Sequence, residues 1–189
     1  MTWGKVDLCT TESLVVVLAH LMRPKFYLEV GIHTGETISR IRDLGGYCLG
    51  IDIEDKRPAR EIGKYEFRLA DSGSWLRTGL PITVAQRGPI DLAFIDADHS
   101  HEGSLRDFEL VFPHVNDDGI ICLHDVWPLA EKYTGPVPRD PSGIWFGDVY
   151  KTADVIRSRT DCEIVTFPAA NLAIIRKGRR AAPWLTERE

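Results

Sequence analysis

Short, nearly unbroken apolar runs alternate along the chain with stretches whose apolar residues recur at helical spacing. The runs predict strands at Phe26–Val30, Tyr47–Ile53, Tyr65–Leu69, Ile90–Ile95, Gly119–Leu123, Glu163–Phe167 and Asn171–Ile175. Tyr27-Leu-Glu-Val, Leu92-Ala-Phe-Ile and Ile120-Ile-Cys-Leu show almost no polar alternation, as strands covered on both faces should. A helix is predicted from a capping Thr10 or Thr11 to about Met22, just before Pro24. Others are predicted at about Glu36–Asp43, Ser100–Phe112 and Phe146–Ser158, and none between the third and fourth strands. Such alternation implies an α/β fold with a parallel, doubly wound sheet. The last two strands are linked only by Pro168-Ala169-Ala170, too short for a crossover, so that pair should be antiparallel. The stretch from Asp125 to Trp145 is rich in proline and lacks periodicity. Because it leaves the end of a central strand, it is expected to be a substrate lid.

At 189 residues the chain fits one domain, and its 43% hydrophobic and 27% charged content is ordinary for a globular protein. A net charge of −5 argues against a nucleic-acid partner. The basic cluster Arg176, Lys177, Arg179 and Arg180 reads as a solvated tail. Cys9, Cys48, Cys122 and Cys162 form no CxxC pair, which argues against a disulfide framework or zinc knuckle and for a reducing, cytoplasmic compartment. No apolar run approaches the roughly 20 residues that cross a bilayer, so no membrane partner is expected.

The first predicted strand runs straight into Gly31-Ile-His-Thr-Gly35 and then a helix. Glycines there let the backbone turn sharply and let a ligand come close, and the helix start offers free N–H groups to a carboxylate. A ligand-free tight turn would explain the same residues. The second strand ends in Asp52, about twenty residues further on, where an acid accepts hydrogen bonds from both hydroxyls of a ribose. Glu54 and Asp55 compete for that role. The third strand ends in Asp71-Ser72, so polar groups terminate successive strands along one crevice.

The fourth strand ends in Asp96-Ala-Asp98-His99-Ser100-His101, and the fifth in His124-Asp125. Neighbouring strand ends should set Asp96 and Asp125 face to face. Two carboxylates with nearby imidazoles suit a divalent cation, or a general base and its orienting partner. Plainer roles compete. Asp98 or Ser100 can cap the next helix, His101 can face solvent, and His124 can be a satisfied histidine.

Glu29-Val-Gly-Ile-His-Thr-Gly35 resembles motif I of class I S-adenosylmethionine-dependent methyltransferases. Asp91 to Gly103, followed by Asp117 to Asp125, resembles the family 24 branch. That branch is similar to cephalosporin-hydroxylase-like proteins and metal-dependent macrolide-sugar O-methyltransferases. The resemblance covers roughly residues 25–175. It implies a Rossmann-like sheet in the order 3-2-1-4-5-7-6 with the last strand antiparallel. It also implies a methyltransferase domain at 25–177, between an N-terminal helix (1–24) and a C-terminal tail (178–189). S-adenosylmethionine would lie with its methionine portion along Glu29, Gly31, His33 and Gly35, its ribose at Asp52, its adenine at Asp71 and Ser72, and Asp96 alongside. His99 is the implied base, with Asp96 beside it. Asp96, His124 and Asp125 are the implied metal set. The relatives use magnesium, but His124 stands where they carry an acid, and histidine suits manganese, iron or zinc better.

These residues point to O-methylation of a small-molecule hydroxyl on a sugar, phenol or natural product. The acceptor itself and the choice between monomer and homodimer are left open. Trp127, Tyr133, Trp145 and Phe146 can stack on an acceptor ring or pack the lid against the domain. The competing function is a non-catalytic binding protein that kept the fold. An NAD-dependent oxidoreductase fails on the glycine pattern, which lacks GxGxxG.

Overall fold

Phe26–Val30 (β1), Tyr47–Asp52 (β2), Glu66–Leu69 (β3), Ile90–Ile95 (β4), Val115–His124 (β5), Cys162–Phe167 (β6) and Leu172–Lys177 (β7) form one sheet. Its order is β3-β2-β1-β4-β5-β7-β6, parallel from β3 to β5, with β7 antiparallel to both its neighbours. The computed structural model describes residues 10–137 and 143–178. Cys9, Arg179, Arg180, almost all of the expected tail and the middle of the expected lid lie outside them.

Both faces of the sheet are covered, which is why β1 is buried at every position. Val15, Val16 and Ala19 of Thr11–Met22 (α1) and Ile38 and Ile41 of Glu36–Ile41 (α2) pack with Tyr27, Leu92, Phe94 and Leu172. On the opposite face, Leu76 and Leu80 of Ser72–Arg87 (α3), Phe108 and Val111 of His101–Val111 (α4), and Ala153 and Ile156 of Tyr150–Arg157 (α5) pack with Leu28, Val30, Ile95 and Leu123. Each fully buried leucine, isoleucine or phenylalanine contributes about 1.5–3 kcal/mol, so these two layers are the main source of stability. No helix among the described residues is long and apolar enough to cross a membrane.

Local signals fix the ends of the elements. Thr10 caps α1 by accepting the Ser13 N–H, and Arg23 closes the helix in the left-handed conformation before Pro24. Ser100 caps α4 by accepting the Gly103 N–H, while Asp98 accepts the Ser100 N–H, so the two share the turn.

Three elements depart from the sequence pattern. Helix α3 occupies the unassigned stretch: Gly73, Gly79 and Pro81 hide it, and Asp71 starts it by accepting the Ser74 N–H. Strand β5 begins four residues before the expected Gly119, because a register shift against β4 and a left-handed Asp118 carry it through a polar stretch. Helix α5 begins at Tyr150 rather than Phe146, because Gly147 is left-handed and pressed against the His99 carbonyl.

Candidate active site at the carboxyl edge

The chain leaving β1 turns through three left-handed residues, Gly31 (φ +85°), His33 (φ +49°) and Gly35 (φ +76°), and α2 starts at the next position. A Cβ on Gly31 would meet the backbone of Asp96 and Ala97, just beyond β4, so only glycine fits. The turn also orients an acid on the neighbouring strand. His33 donates its N–H to Asp52 Oδ2 at 2.8 Å, and Glu54 donates its N–H to Asp52 Oδ1 at 3.1 Å. A carboxylate has about four acceptor positions, so Asp52 keeps capacity for hydroxyl donors. Its competitors are engaged elsewhere, Glu54 with Lys56 and Asp55 with Arg57.

Glu29, Gly31, His33, Asp52, Asp71, Ser72, Asp96 and His99 line one cleft of about 660 Å³. Gly35, His124 and Asp125 are not among its walls. The open side of Gly35 faces the Tyr65 hydroxyl. Asp71 and Ser72 carry structural duties as well. Asp71 caps α3, and the Ser72 hydroxyl donates to the wholly buried Asp107 at 2.7 Å and accepts from Arg106 at 3.1 Å. Glu29 is 2% exposed and accepts the Tyr27 hydroxyl at 2.6 Å. Burial pushes its carboxyl up to about 8, with Asp96 and Glu12 adding to the effect and the Tyr27 bond opposing it.

Beyond Asp96 the groups are closely coupled. His124 Nδ1 lies 2.9 Å from Asp96 Oδ1. Burial works against a charged His124, yet Asp96 and Asp125 outweigh it and lift the imidazole to about 9. As the strand order suggested, Asp125 comes close to Asp96, with an oxygen of each within 4.8 Å of the other. Its backbone is left-handed (φ +61°), and the residue is 2% exposed, beside His99. It walls a smaller adjoining cavity together with Asp96, His99 and His124.

His99 Nδ1 lies 2.8 Å from Asp125 Oδ2, although the pair is not aligned as a hydrogen bond and neither buried atom has another partner. The Asp125 contact raises the His99 pKa despite burial. With Nδ1 turned to Asp125, Nε2, which is 4.0 Å from Asp96 Oδ1, is the nitrogen able to take a proton. Trp145 stacks on the His99 ring at 4.9 Å and 10°, held by a bond from its indole N–H to the Gly135 carbonyl. The His99 carbonyl accepts the Asp148 N–H. His101, expected to face solvent, is partly buried with Nδ1 2.9 Å from Thr152 Oγ1.

One oxygen each from Asp96 and Asp125 and one nitrogen of His124 lie within 4.8 Å of one another. Two carboxylates and an imidazole fit a divalent cation, with manganese, iron or zinc better matched than magnesium. The orphaned Asp125 Oδ2 and His99 Nδ1 border the same cavity.

Sequence reasoning missed Glu12, Phe94 and Arg106, which also line the cleft, and Asn171, whose amide reaches Asp125. Glu12 reads from sequence only as a first-turn acid, and Asn171 only as a turn residue. Of the aromatic candidates, Tyr133 and Phe146 pack edge to face on each other, Trp145 lines the cleft, and Trp127 is half exposed.

A family model described as a methyltransferase domain matches residues 28–126. Over 84 residues the chain is 33% identical to the demethylmacrocin O-methyltransferase of Streptomyces fradiae, a match spanning 43% of this chain and 20% of that protein. The matched segment therefore covers one fifth of that relative's length. Among solved structures, the SAH-bound methyltransferase PaMTH1 of Podospora anserina superposes with a TM-score of 0.70 at 16% identity, over 89% of this chain and 78% of that one. The O-methyltransferase TomG of Streptomyces achromogenes, solved with SAM, gives 0.63 at 16% identity, over 89% and 79%. MycE, from the mycinamycin biosynthetic pathway and solved with Mg and SAH, gives 0.58 at 18% identity, over 83% and 45%. At these identities the structures establish the shared fold.

Proposed function

The chain belongs to the methyltransferase-domain family, and we propose on that footing that it transfers a methyl group from S-adenosylmethionine to a hydroxyl oxygen of a small molecule. The observation that carries this proposal is the continuity of one cleft, with the Gly31 turn and Asp52 in one wall and Asp96 and His99 in the next. The likeness to O-methyltransferases solved with SAM or SAH supports it. In this assignment residues 25–177 form the catalytic domain, with the N-terminal helix packed on it.

The methionine portion of the cofactor lies along the Gly31–Gly35 turn, where Glu29 offers a buried carboxyl to its positive charges. Asp52 takes the ribose hydroxyls, and Asp71 and Ser72 border the adenine. The sulfonium is already electrophilic, so the protein has to align the acceptor and remove its proton. Alignment can supply several kcal/mol of the barrier. As the acceptor oxygen bonds to the methyl carbon, the carbon–sulfur bond breaks and His99 Nε2 takes the hydroxyl proton. Asp125 stabilises the resulting imidazolium, as the acid does in a catalytic triad.

Asp96, His124 and Asp125 would hold a divalent cation, which when bound lowers the pKa of the acceptor hydroxyl. The cleft walls also bear on the acceptor. Glu12, Asp96 and Asp98 line them, and the lysine and arginine there are paired, Lys56 with Glu54 and Arg106 with Asp107. A neutral or cationic acceptor fits such walls better than an anionic one.

Calorimetry with S-adenosylmethionine, S-adenosylhomocysteine and NAD is the first test. Binding of the first two and not the third is expected. A radiolabelled-methyl assay across phenols, catechols and methyl glycosides follows. Failure to bind either adenosyl compound would overturn the assignment, and tight binding without transfer to any acceptor would favour a non-catalytic role.

A further inference from the structure

Asn171 ends the turn between β6 and β7 in the left-handed conformation (φ +49°). Its side chain leaves the hairpin and bridges two points at the end of β5. Nδ2 donates to Asp125 Oδ1 at 2.9 Å, and Oδ1 accepts the Trp127 N–H at 2.6 Å. His124 Nδ1 is the other donor near Asp125 Oδ1, but at 3.5 Å it is too distant to hold the carboxylate, and it is engaged with Asp96. Asp125 is itself left-handed (φ +61°), a conformation that aspartate and asparagine enter more readily than most residues.

We infer that Asn171 is a positioning residue: its amide sets the rotation of the Asp125 carboxylate, so that Oδ2 faces His99, and at the same time fixes where the 126–137 segment departs. The inference rests on the proposed function only for its catalytic consequence. The bridge itself is a matter of geometry. Asparagine suits the position in two ways. It tolerates the left-handed backbone, and it carries a donor and an acceptor on one planar group. An ionised aspartate could still accept from Trp127 but would repel Asp125 rather than donate to it.

Two variants separate these roles. Asn171→Gly keeps the backbone conformation and removes the whole bridge, whereas Asn171→Asp keeps the Trp127 acceptor but sets a second carboxylate against Asp125 in place of the donor. Amide hydrogen exchange at Trp127 is expected to speed up about tenfold or more in the glycine variant and to stay near wild type in the aspartate variant. With the wild type's best phenolic, catecholic or glycosidic acceptor, kcat should fall about 10- to 100-fold in both. The affinity for S-adenosylhomocysteine and the KM for S-adenosylmethionine should stay within about twofold, because Asp125 lies behind the cofactor cleft. Unchanged Trp127 exchange in Asn171→Gly would overturn the bridge. Wild-type kcat in Asn171→Asp would overturn the positioning role. A wild-type protein that methylates no acceptor overturns the proposed function instead, and the Trp127 amide then decides the bridge alone.

Discussion

Asp125 Oδ2 lies 2.8 Å from His99 Nδ1, and the acid is nearly sealed from solvent while the imidazole reaches the cleft. That placement makes His99 more basic than an ordinary histidine, and under the proposed function Nε2 is its reactive nitrogen.

Methyl transfer should therefore increase with pH, as His99 loses its proton above the usual imidazole range. Asp125→Asn should shift the inflection of the kcat/KM profile to lower pH and reduce the plateau. His99→Gln should lower kcat about 10²- to 10⁴-fold while S-adenosylhomocysteine affinity stays near wild type. A His99→Gln protein with full kcat would remove the base.

Glu29 leads to a prediction about stability. Its folded pKa of about 8 lies above the ordinary value of 4.5, so between those pH values the folded chain holds a proton that the unfolded chain releases. Stability is then greatest below pH 4.5 as far as Glu29 is concerned, and is lost as pH rises towards 8. His124 adds to the trend, since a histidine raised from 6.5 to about 9 contributes stability that is present below 6.5 and lost as pH rises through 9. Urea midpoints should fall from pH 6 to pH 9, and Glu29→Gln should flatten the lower half of that range. A wild-type midpoint that rises over this interval would contradict the buried protonated acid.

The same carboxyl predicts proton release on cofactor binding. The positive charges of S-adenosylmethionine favour ionised Glu29, so binding near pH 7 should expel up to about one proton. Calorimetry in two buffers of different ionisation enthalpy measures this number directly. Glu29→Gln should reduce it to near zero and weaken binding.

Manganese should bind more tightly than magnesium, because His124 contributes an imidazole to two carboxylates. Free Mn²⁺ followed by electron paramagnetic resonance should show at least about tenfold weaker binding in Asp96→Asn and His124→Ala. Wild-type retention of the ion in both variants would place the metal elsewhere.

Gly31→Ala should be the most damaging small change in the cleft. The left-handed backbone costs an alanine about 1–2 kcal/mol, and its methyl group would meet the backbone of Asp96 and Ala97, which cannot move aside cheaply. A lowered urea midpoint together with lost S-adenosylhomocysteine binding is expected.

The sheet was legible because its central strands are apolar on both faces, and because Pro168-Ala169-Ala170 leaves no room for a crossover. Helix α3 was not, since Gly73, Gly79 and Pro81 break the helical pattern while Leu76 and Leu80 still anchor it in the core. Asp52, Asp96 and His99 reach the cleft from strand ends, where chain order and space coincide. Asp125 sits at 2% exposure with a left-handed backbone, which no residue pattern announces. The Asn171 bridge joins positions 46 residues apart in sequence, a separation at which local spacing carries no signal.

The reversal of β7 has a consequence for how the protein is made. Because that strand runs opposite to β5, the turn at its start lies beside the end of β5, with Leu172 paired to His124. On the ribosome, the Gly31 turn and Asp52 emerge early, while the amide that orients Asp125 emerges more than a hundred residues later. A nascent chain can thus form the wall around Gly31 and Asp52 before the His99–Asp125 pair is complete.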